Sequence, residues 1–309
     1  MLNNLFIFGV ALFMIIQGAT MSTKYSARLA ENFNFSKYVI GLIIVSVISI
    51  LPETFISINA ALDGVPEFGL GALLGSNVAD LTLVFAIIIF VNRRGLKVES
   101  KILKNKFVYP LILLLPLILG ANGHFSRMEG LALILAGGVF YYLALKDDVG
   151  SNLKVSNPDG KLKNFLILLI SLAILLIGSH FVVTSATDLA VYFNVNPIFI
   201  GMFIVGLGTV IPELFFSLKS VRKHDDSLAV GDLLGTVLAD ATIVVGLLAL
   251  INPFVFPKRI IYVTGVFMFL ASLLLFRFMK TGKIISRKEA LILIFFWLSF
   301  VTAEVFIGY

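Results

Sequence analysis

The sequence predicts an all-α integral membrane protein of ten transmembrane helices, built as two inverted five-helix repeats. Three observations predict it. The 309 residues are 59% hydrophobic and only 14% charged, with a mean hydropathy of +1.03, whereas a soluble domain carries about a quarter charged residues. Apolar runs of about the 20 residues that a helix needs to cross a bilayer recur along the chain, without the alternation of membrane β-strands. Finally, residues 41–83 align on residues 201–243 without a gap. This composition excludes a disordered chain, a coiled coil and a nucleic-acid-binding domain. The absence of cysteine excludes disulfide scaffolds, thiol catalysis and cysteine-ligated metals.

The spans are expected near 4–22, 38–60, 69–91, 107–120, 128–145, 165–187, 197–218, 228–251, 260–279 and 289–307. The first is a helix rather than a cleaved leader: it lacks a basic start, carries Gln17 late in the run and has no small-residue cleavage site. The fourth is short, and the ends of the first and sixth run into polar sequence. Of the 24 Lys and Arg residues, 21 fall on the odd-numbered connections, and only Arg127, Lys258 and Arg259 lie on the other side. A miscounted helix would scramble that segregation. The positive-inside bias then places both termini outside the cytoplasm. The net charge of +6 is topological in this reading, and the basic stretch from Arg93 to Lys106 is an anchor beside the lipid. The sequon Asn34-Phe35-Ser36 falls on the cytoplasmic side and is discounted.

The repeat has a constant offset of 160 residues. Identical pairs include Gly41/Gly201, Pro52/Pro212, Glu53/Glu213, Ser57/Ser217, Gly71/Gly231, Gly75/Gly235, Ala79/Ala239, Asp80/Asp240 and Thr82/Thr242, with Gly18/Gly178 and Asn34/Asn194 upstream. Five helices per half is an odd number, so the second half enters the membrane from the opposite side. The expected organisation is a first repeat over 1–145, a cytoplasmic linker over 146–163 and a second repeat over 164–309. Inverted repeats typify secondary transporters, whose substrate site lies near the midplane where the repeats meet.

Glu53, Glu213, Asp80 and Asp240 all fall inside apolar spans, where an ionised carboxylate costs about 3 kcal/mol or more. A single buried acid has a bland reading as a hydrogen-bonded structural group. Four acids placed symmetrically, without Lys or Arg at comparable depth, point instead to a cationic substrate. Pro52 and Pro212 each precede a glutamate and remove a helix N–H, which frees carbonyl oxygens. Ser49, Thr209, Ser76 and Thr236 stand four residues before Glu53, Glu213, Asp80 and Asp240, on the same helix faces. An all-oxygen set suits hard cations such as Ca²⁺, Na⁺ or Mg²⁺. Each hydroxyl could instead bond a local carbonyl. The glycines at 71, 75, 231 and 235 read as close helix approach.

These strings resemble the two signature repeats of the cation/Ca²⁺ antiporter superfamily, the sodium/calcium exchangers and their prokaryotic relatives. The resemblance rests on Ser49-Ile50-Leu51-Pro52-Glu53 with Gly71-Ala72-Leu73-Leu74-Gly75-Ser76-Asn77-Val78-Ala79-Asp80. The second copy is Gly208-Thr209-Val210-Ile211-Pro212-Glu213 with Gly231-Asp232-Leu233-Leu234-Gly235-Thr236-Val237-Leu238-Ala239-Asp240. It implies a sodium/calcium exchanger-like fold and exchange of Ca²⁺ for Na⁺, for Na⁺ with K⁺, or for H⁺. It also implies Glu53 and Glu213 as central Ca²⁺ ligands, flanked by Ser49, Thr209, Ser76, Thr236, Asp80 and Asp240. The chain departs from the family pattern at Ile50 and Val210, where serine is usual, and at Ala72 and Asp232, where asparagine is usual. Asp232 therefore joins the candidate metal ligands. With fewer neutral oxygens and more protonatable ones, proton coupling is the alternative to Na⁺.

The expected function is exchange of Ca²⁺ for Na⁺ across the cytoplasmic membrane by alternating access, with no resident cofactor, no nucleic acid and a monomer as sufficient unit. An intramembrane aspartyl protease is the enzyme rival, with a pair drawn from Asp80, Asp232 and Asp240, but it leaves the paired Pro-Glu strings idle. A channel and a scaffold explain the inverted acids less well. His180 reads as an interfacial or hydrogen-bonded histidine rather than a proton relay.

Overall fold

The computed structural model describes residues 2–30, 37–92, 94–99, 107–146 and 161–308. Most of the expected linker (147–160), the sequon at 34–36 and Arg93, Lys101, Lys104 and Lys106 lie outside the described residues. Among the described residues, nine helices are long and apolar enough to cross a membrane, and a shorter apolar helix stands where the fourth span was expected. In chain order they are α1 (Leu2–Ala30), α2 (37–62), α3 (Pro66–Asn92), α4 (Val108–Asn122), α5 (Arg127–Lys146), α6 (Lys161–Phe193), α7 (Pro197–Arg222), α8 (Asp226–Ile251), α9 (Ile261–Lys280) and α10 (Arg287–Gly308).

The first and sixth helices run well past their expected ends. No glycine or proline stops α6 until Asn194 takes a left-handed conformation at φ 53°. There Val195 N–H reaches back to the Ala190 carbonyl at 2.9 Å, which satisfies the frayed helix end. The same closure ends α2 and α7: Val65 N–H bonds Ala60 O at 2.9 Å and Asp225 N–H bonds Ser220 O at 3.0 Å. The left-handed residue is Gly64 in one repeat and His224, 160 residues later, in the other.

Each repeat is completed by the other. α1 packs along α6, α2 crosses α8, α7 crosses α3, α5 lies on α8 and α10 lies on α3. Two small antiparallel pairs seal the ends. β1 (Leu96–Lys97) pairs with β4 (Ile284–Ile285) on the lysine-rich face, and β2 (His124–Phe125) pairs with β3 (Phe254–Val255) on the opposite face. In each pair, one strand follows the third helix of its repeat and the other precedes the fifth helix of the partner repeat. α5 and α10 also start alike. Ser126 N–H donates to Glu129 at 2.7 Å and Glu129 N–H to the Ser126 hydroxyl at 3.3 Å, and Ser286 and Glu289 repeat both distances. These reciprocal boxes satisfy N–H groups left open at helix starts.

The backbone departs from α-geometry in wide π-turns at Ile40–Val45 and Ile200–Val205, and again at Asp80–Val84 and Asp240–Val244. All four keep the 160-residue offset. Such turns leave carbonyls without their usual i+4 partner and cluster at functional positions. The two prolines behave differently. α2 breaks at Ile50, and Pro52 sits in the first turn of the next segment, where a missing N–H costs nothing. Pro212 lies inside an uninterrupted helix. The symmetric disruption expected at Pro-Glu is instead found in the π-turns.

Candidate cation site

Glu53 stands on the first turn after the break in α2, Glu213 in the middle of α7, and Asp80 and Asp240 at the start of the π-turns in α3 and α8. Asp232 lies two turns before Asp240 on α8. All five are at most 2% exposed, at the place where the four central helices cross. The crossings are close because glycines meet backbone. A Cβ on Gly231 would lie 2.3 Å from the Tyr38 carbonyl oxygen, and one on Gly75 2.7 Å from that of Met202.

Within this cluster Asp80 is in electrostatic reach of all four other acids, Glu53 of Asp80, Glu213 and Asp240, and Asp232 of Asp80 and Glu213. The Ser49 hydroxyl crosses the repeat interface to Asp232 Oδ1 at 3.0 Å, and the Thr209 oxygen lies beside the Glu53 carboxylate. Thr209 and Ser76 also lie on their own helix carbonyls, Gly206 at 3.0 Å and Leu73 at 2.9 Å. A hydroxyl that donates its single proton this way keeps its oxygen lone pairs for a cation. The Thr236 hydroxyl has no partner.

Seven carboxylate oxygens are buried without a hydrogen-bond partner: Glu53 Oε2, Asp80 Oδ1, Asp232 Oδ2 and both oxygens of Glu213 and of Asp240. Among the described residues none of the five acids pairs with a basic side chain; ion pairs such as Arg94 with Asp226 and His124 with Glu129 lie elsewhere. Each unsatisfied buried acceptor costs about 1–3 kcal/mol, and more when charged, so the cluster lacks positive charge. Among the described residues no three acids or histidines already converge as a closed metal cage.

All nine expected site residues are therefore buried on the four crossing helices. Three further groups escaped sequence reasoning. Ser57 and Ser217, one turn after the glutamates, are buried with unpartnered hydroxyls, as is Asn77 Oδ1; their repeat identity and four-residue spacing were the available signal for the serines. Tyr109 and Tyr141 donate to the α8 carbonyls of Leu234 at 2.8 Å and Gly235 at 2.7 Å. Glu304 on α10 is buried, accepts a hydrogen bond from Thr264 and lies near Arg259. Its repeat counterpart is Ala144, so symmetry carried no hint of it. His180 is exposed against the Phe181 ring.

Known proteins resemble this chain in sequence and in fold. The sequence profile of the family described as sodium/calcium exchanger protein matches residues 3–146 and 163–306, two segments that keep the 160-residue offset. The inner membrane protein YrbG of Escherichia coli is 30% identical over 259 residues, covering 79% of this chain and 78% of that protein. The sodium/calcium exchanger MaX1 of Methanosarcina acetivorans is 23% identical, covering 98% of this chain and 99% of its own. The structure of the sodium-calcium exchanger NCX_Mj, soaked with Na⁺ and Sr²⁺, superimposes with a TM-score of 0.74 at 23% identity and covers 98% of this chain and 99% of that one. With a profile spanning both repeats and the fold in common, the chain belongs to the sodium/calcium exchanger family of cation/Ca²⁺ antiporters, which are transporters and not enzymes.

Proposed function

We propose that this chain exchanges Ca²⁺ for Na⁺ across the cytoplasmic membrane by alternating access, with its lysine-rich face and its 146–163 linker in the cytoplasm. The observation that carries the reading is the set of seven unpartnered carboxylate oxygens without a basic partner. Glu53 and Glu213 are assigned as the central Ca²⁺ ligands. Ser49, Thr209, Ser76 and Thr236 supply neutral oxygens, and Asp80 and Asp240 flank them. All are hard oxygen donors, matched to Ca²⁺ and Na⁺ rather than to soft metals. The cross-packed repeats, 1–145 and 164–309, supply two symmetry-related closures on opposite faces. Names borne by relatives support the same reading: MaX1 is called a sodium/calcium exchanger and YrbG an inner membrane protein.

A second reading, Ca²⁺/H⁺ exchange, is favoured by one feature. Asp232 adds a fifth carboxylate beside Glu213 and Asp80, and like charges crowded in a low-dielectric space favour binding of a proton by one of them. The test is uptake of radioactive Ca²⁺ into proteoliposomes loaded with Na⁺ or with acid, for wild type and Glu213→Gln. Na⁺-driven uptake that the substitution abolishes supports the first reading. Uptake driven only by the proton gradient supports the second, and Ca²⁺ that moves under neither gradient overturns both.

A further inference from the structure

The molecule carries a second polar feature remote in chemistry from the acids. Between α1 and α7, on the lysine-rich face, a cavity of about 250 Å³ is lined by Thr20, Lys24, Pro212, Phe215, Phe216, Lys219, Ser220, Lys223, Asp225 and Leu228. A groove of about 630 Å³ shares Thr20, Phe215 and Lys219 with it and continues along Ile16, Leu218 and Arg222. Phe215 is 58% exposed, so the groove opens sideways toward lipid. Three ammonium groups against one carboxylate make a poor mouth for a cation. Apolar walls below and ammonium groups at the end of the span instead match a phospholipid, with phosphate at the surface and acyl chain along the helix.

We infer that this groove binds an anionic phospholipid, with its phosphate held by Lys24, Lys219 and Lys223 and an acyl chain laid against Phe215 and Leu218.

The repeat supplies an internal control. The corresponding positions of the other half keep Pro52 and Phe55 for Pro212 and Phe215, but they place Thr184, Asn59 and Asp63 where the three lysines stand. The fold therefore needs the apolar wall in both copies and the positive charge in neither. A topology signal asks for basic residues near helix ends on one face; it does not ask that residues from α1 and α7 converge on one cavity.

The experiment is native mass spectrometry of the full-length protein in detergent, titrated with phosphatidylglycerol or phosphatidylcholine. Wild type is expected to retain one phosphatidylglycerol in preference to phosphatidylcholine. The Lys24→Gln/Lys219→Gln/Lys223→Gln variant should weaken that adduct at least about tenfold, as loss of basic groups at a membrane surface implies, and leave phosphatidylcholine binding unchanged. Arg277→Gln/Lys280→Gln/Lys283→Gln removes equal charge from the same face outside the groove and should keep the adduct. Equal weakening by both triple variants would overturn the site in favour of diffuse attraction. Displacement of the lipid by millimolar inorganic phosphate would make it a free-phosphate site instead. Phe215→Ala, which leaves the charge intact, should also weaken the adduct; unchanged binding there would overturn the acyl seat.

Discussion

The crossing of α2 on α8 and the crossing of α7 on α3 are built from one sequence pattern, yet they differ in closeness and polarity. At the first, Cβ atoms on Gly231 and Gly235 would lie 2.3 Å from backbone oxygens; at the second, the same construction at Gly71 and Gly75 gives 2.9 and 2.7 Å. The tighter crossing is also the polar one. Its α8 carries Asp232 where α3 has Ala72, and Tyr109 and Tyr141 tether its carbonyls, where the other repeat has Phe269 and Val301. The faces differ as well. On the lysine-rich face, Arg94 grips Asp226 with two nitrogens, at 2.8 and 2.5 Å, and reaches Val221 O at 2.9 Å. On the opposite face the counterpart carbonyl, Ala61 O, receives the neutral Asn252 amide from the other repeat at 3.0 Å. Symmetry thus supplies the two closures, and departures from it make them unequal in strength.

The largest effects should come from the acids themselves. Glu53→Gln and Glu213→Gln are each expected to cut Ca²⁺ transport roughly 100-fold, the equivalent of about 2.7 kcal/mol. In the cation-free protein both should raise the melting temperature, Glu213→Gln more, because neither of its oxygens has a partner. If only one glutamate mattered for transport, the two halves would not share a site.

Next come the crossings. Gly235→Ala should destabilise by about 3 kcal/mol and Gly75→Ala by about 2, since a methyl group forced onto backbone strains a packed interface. Thermal unfolding in detergent reads the difference, and the reverse order would contradict the ranking of the two crossings. Arg94→Ala removes the partner of the buried Asp226 and should cost about 3 kcal/mol, whereas Asn252→Ala gives up one neutral hydrogen bond worth about 1 kcal/mol. The hydrogen bonds to the Asp226 carboxylate hold the Arg94 guanidinium above its ordinary pKa. Its folded value is raised, so its stabilisation is fully present below the unfolded pKa and is lost only at higher pH. The Arg94→Ala deficit should therefore be constant from pH 6 to 9, and a deficit that varies with pH would show that Arg94 is not the charge that matters. The smallest effect is expected for Tyr109→Phe, about 1 kcal/mol for the bond to Leu234, with Phe269→Tyr at the equivalent position of the other half giving no matching gain.

Much of this was legible in the chain. The helix count, the repeat offset and the four acids followed from hydropathy and identity, since a membrane helix must bond its own backbone and an intramembrane acid needs a reason to persist. The ends of α1 and α6 were not, because polar residues that leave the hydrocarbon can stay helical until a residue such as Asn194 turns left-handed. The site's hydroxyls were also ambiguous: Ser49 and Thr209 hold the same position in each repeat, but one donates across the interface to Asp232 and the other to its own helix at Gly206.

The sequence by itself determined that ten apolar segments form two inverted copies, each with a Pro-Glu and an Ala-Asp string, because those facts live in period, spacing and composition. Only the tertiary structure decided that each copy is completed by the other, with α2 on α8 and α7 on α3. It also decided that Asp80 lies within reach of all four other acids, that Tyr109 and Tyr141 serve α8, and that Lys24 meets Lys219 and Lys223 around one groove. These are contacts between residues that are far apart in the chain. They depend on how closely glycine lets two backbones approach, and that distance is set by packing rather than by any local signal.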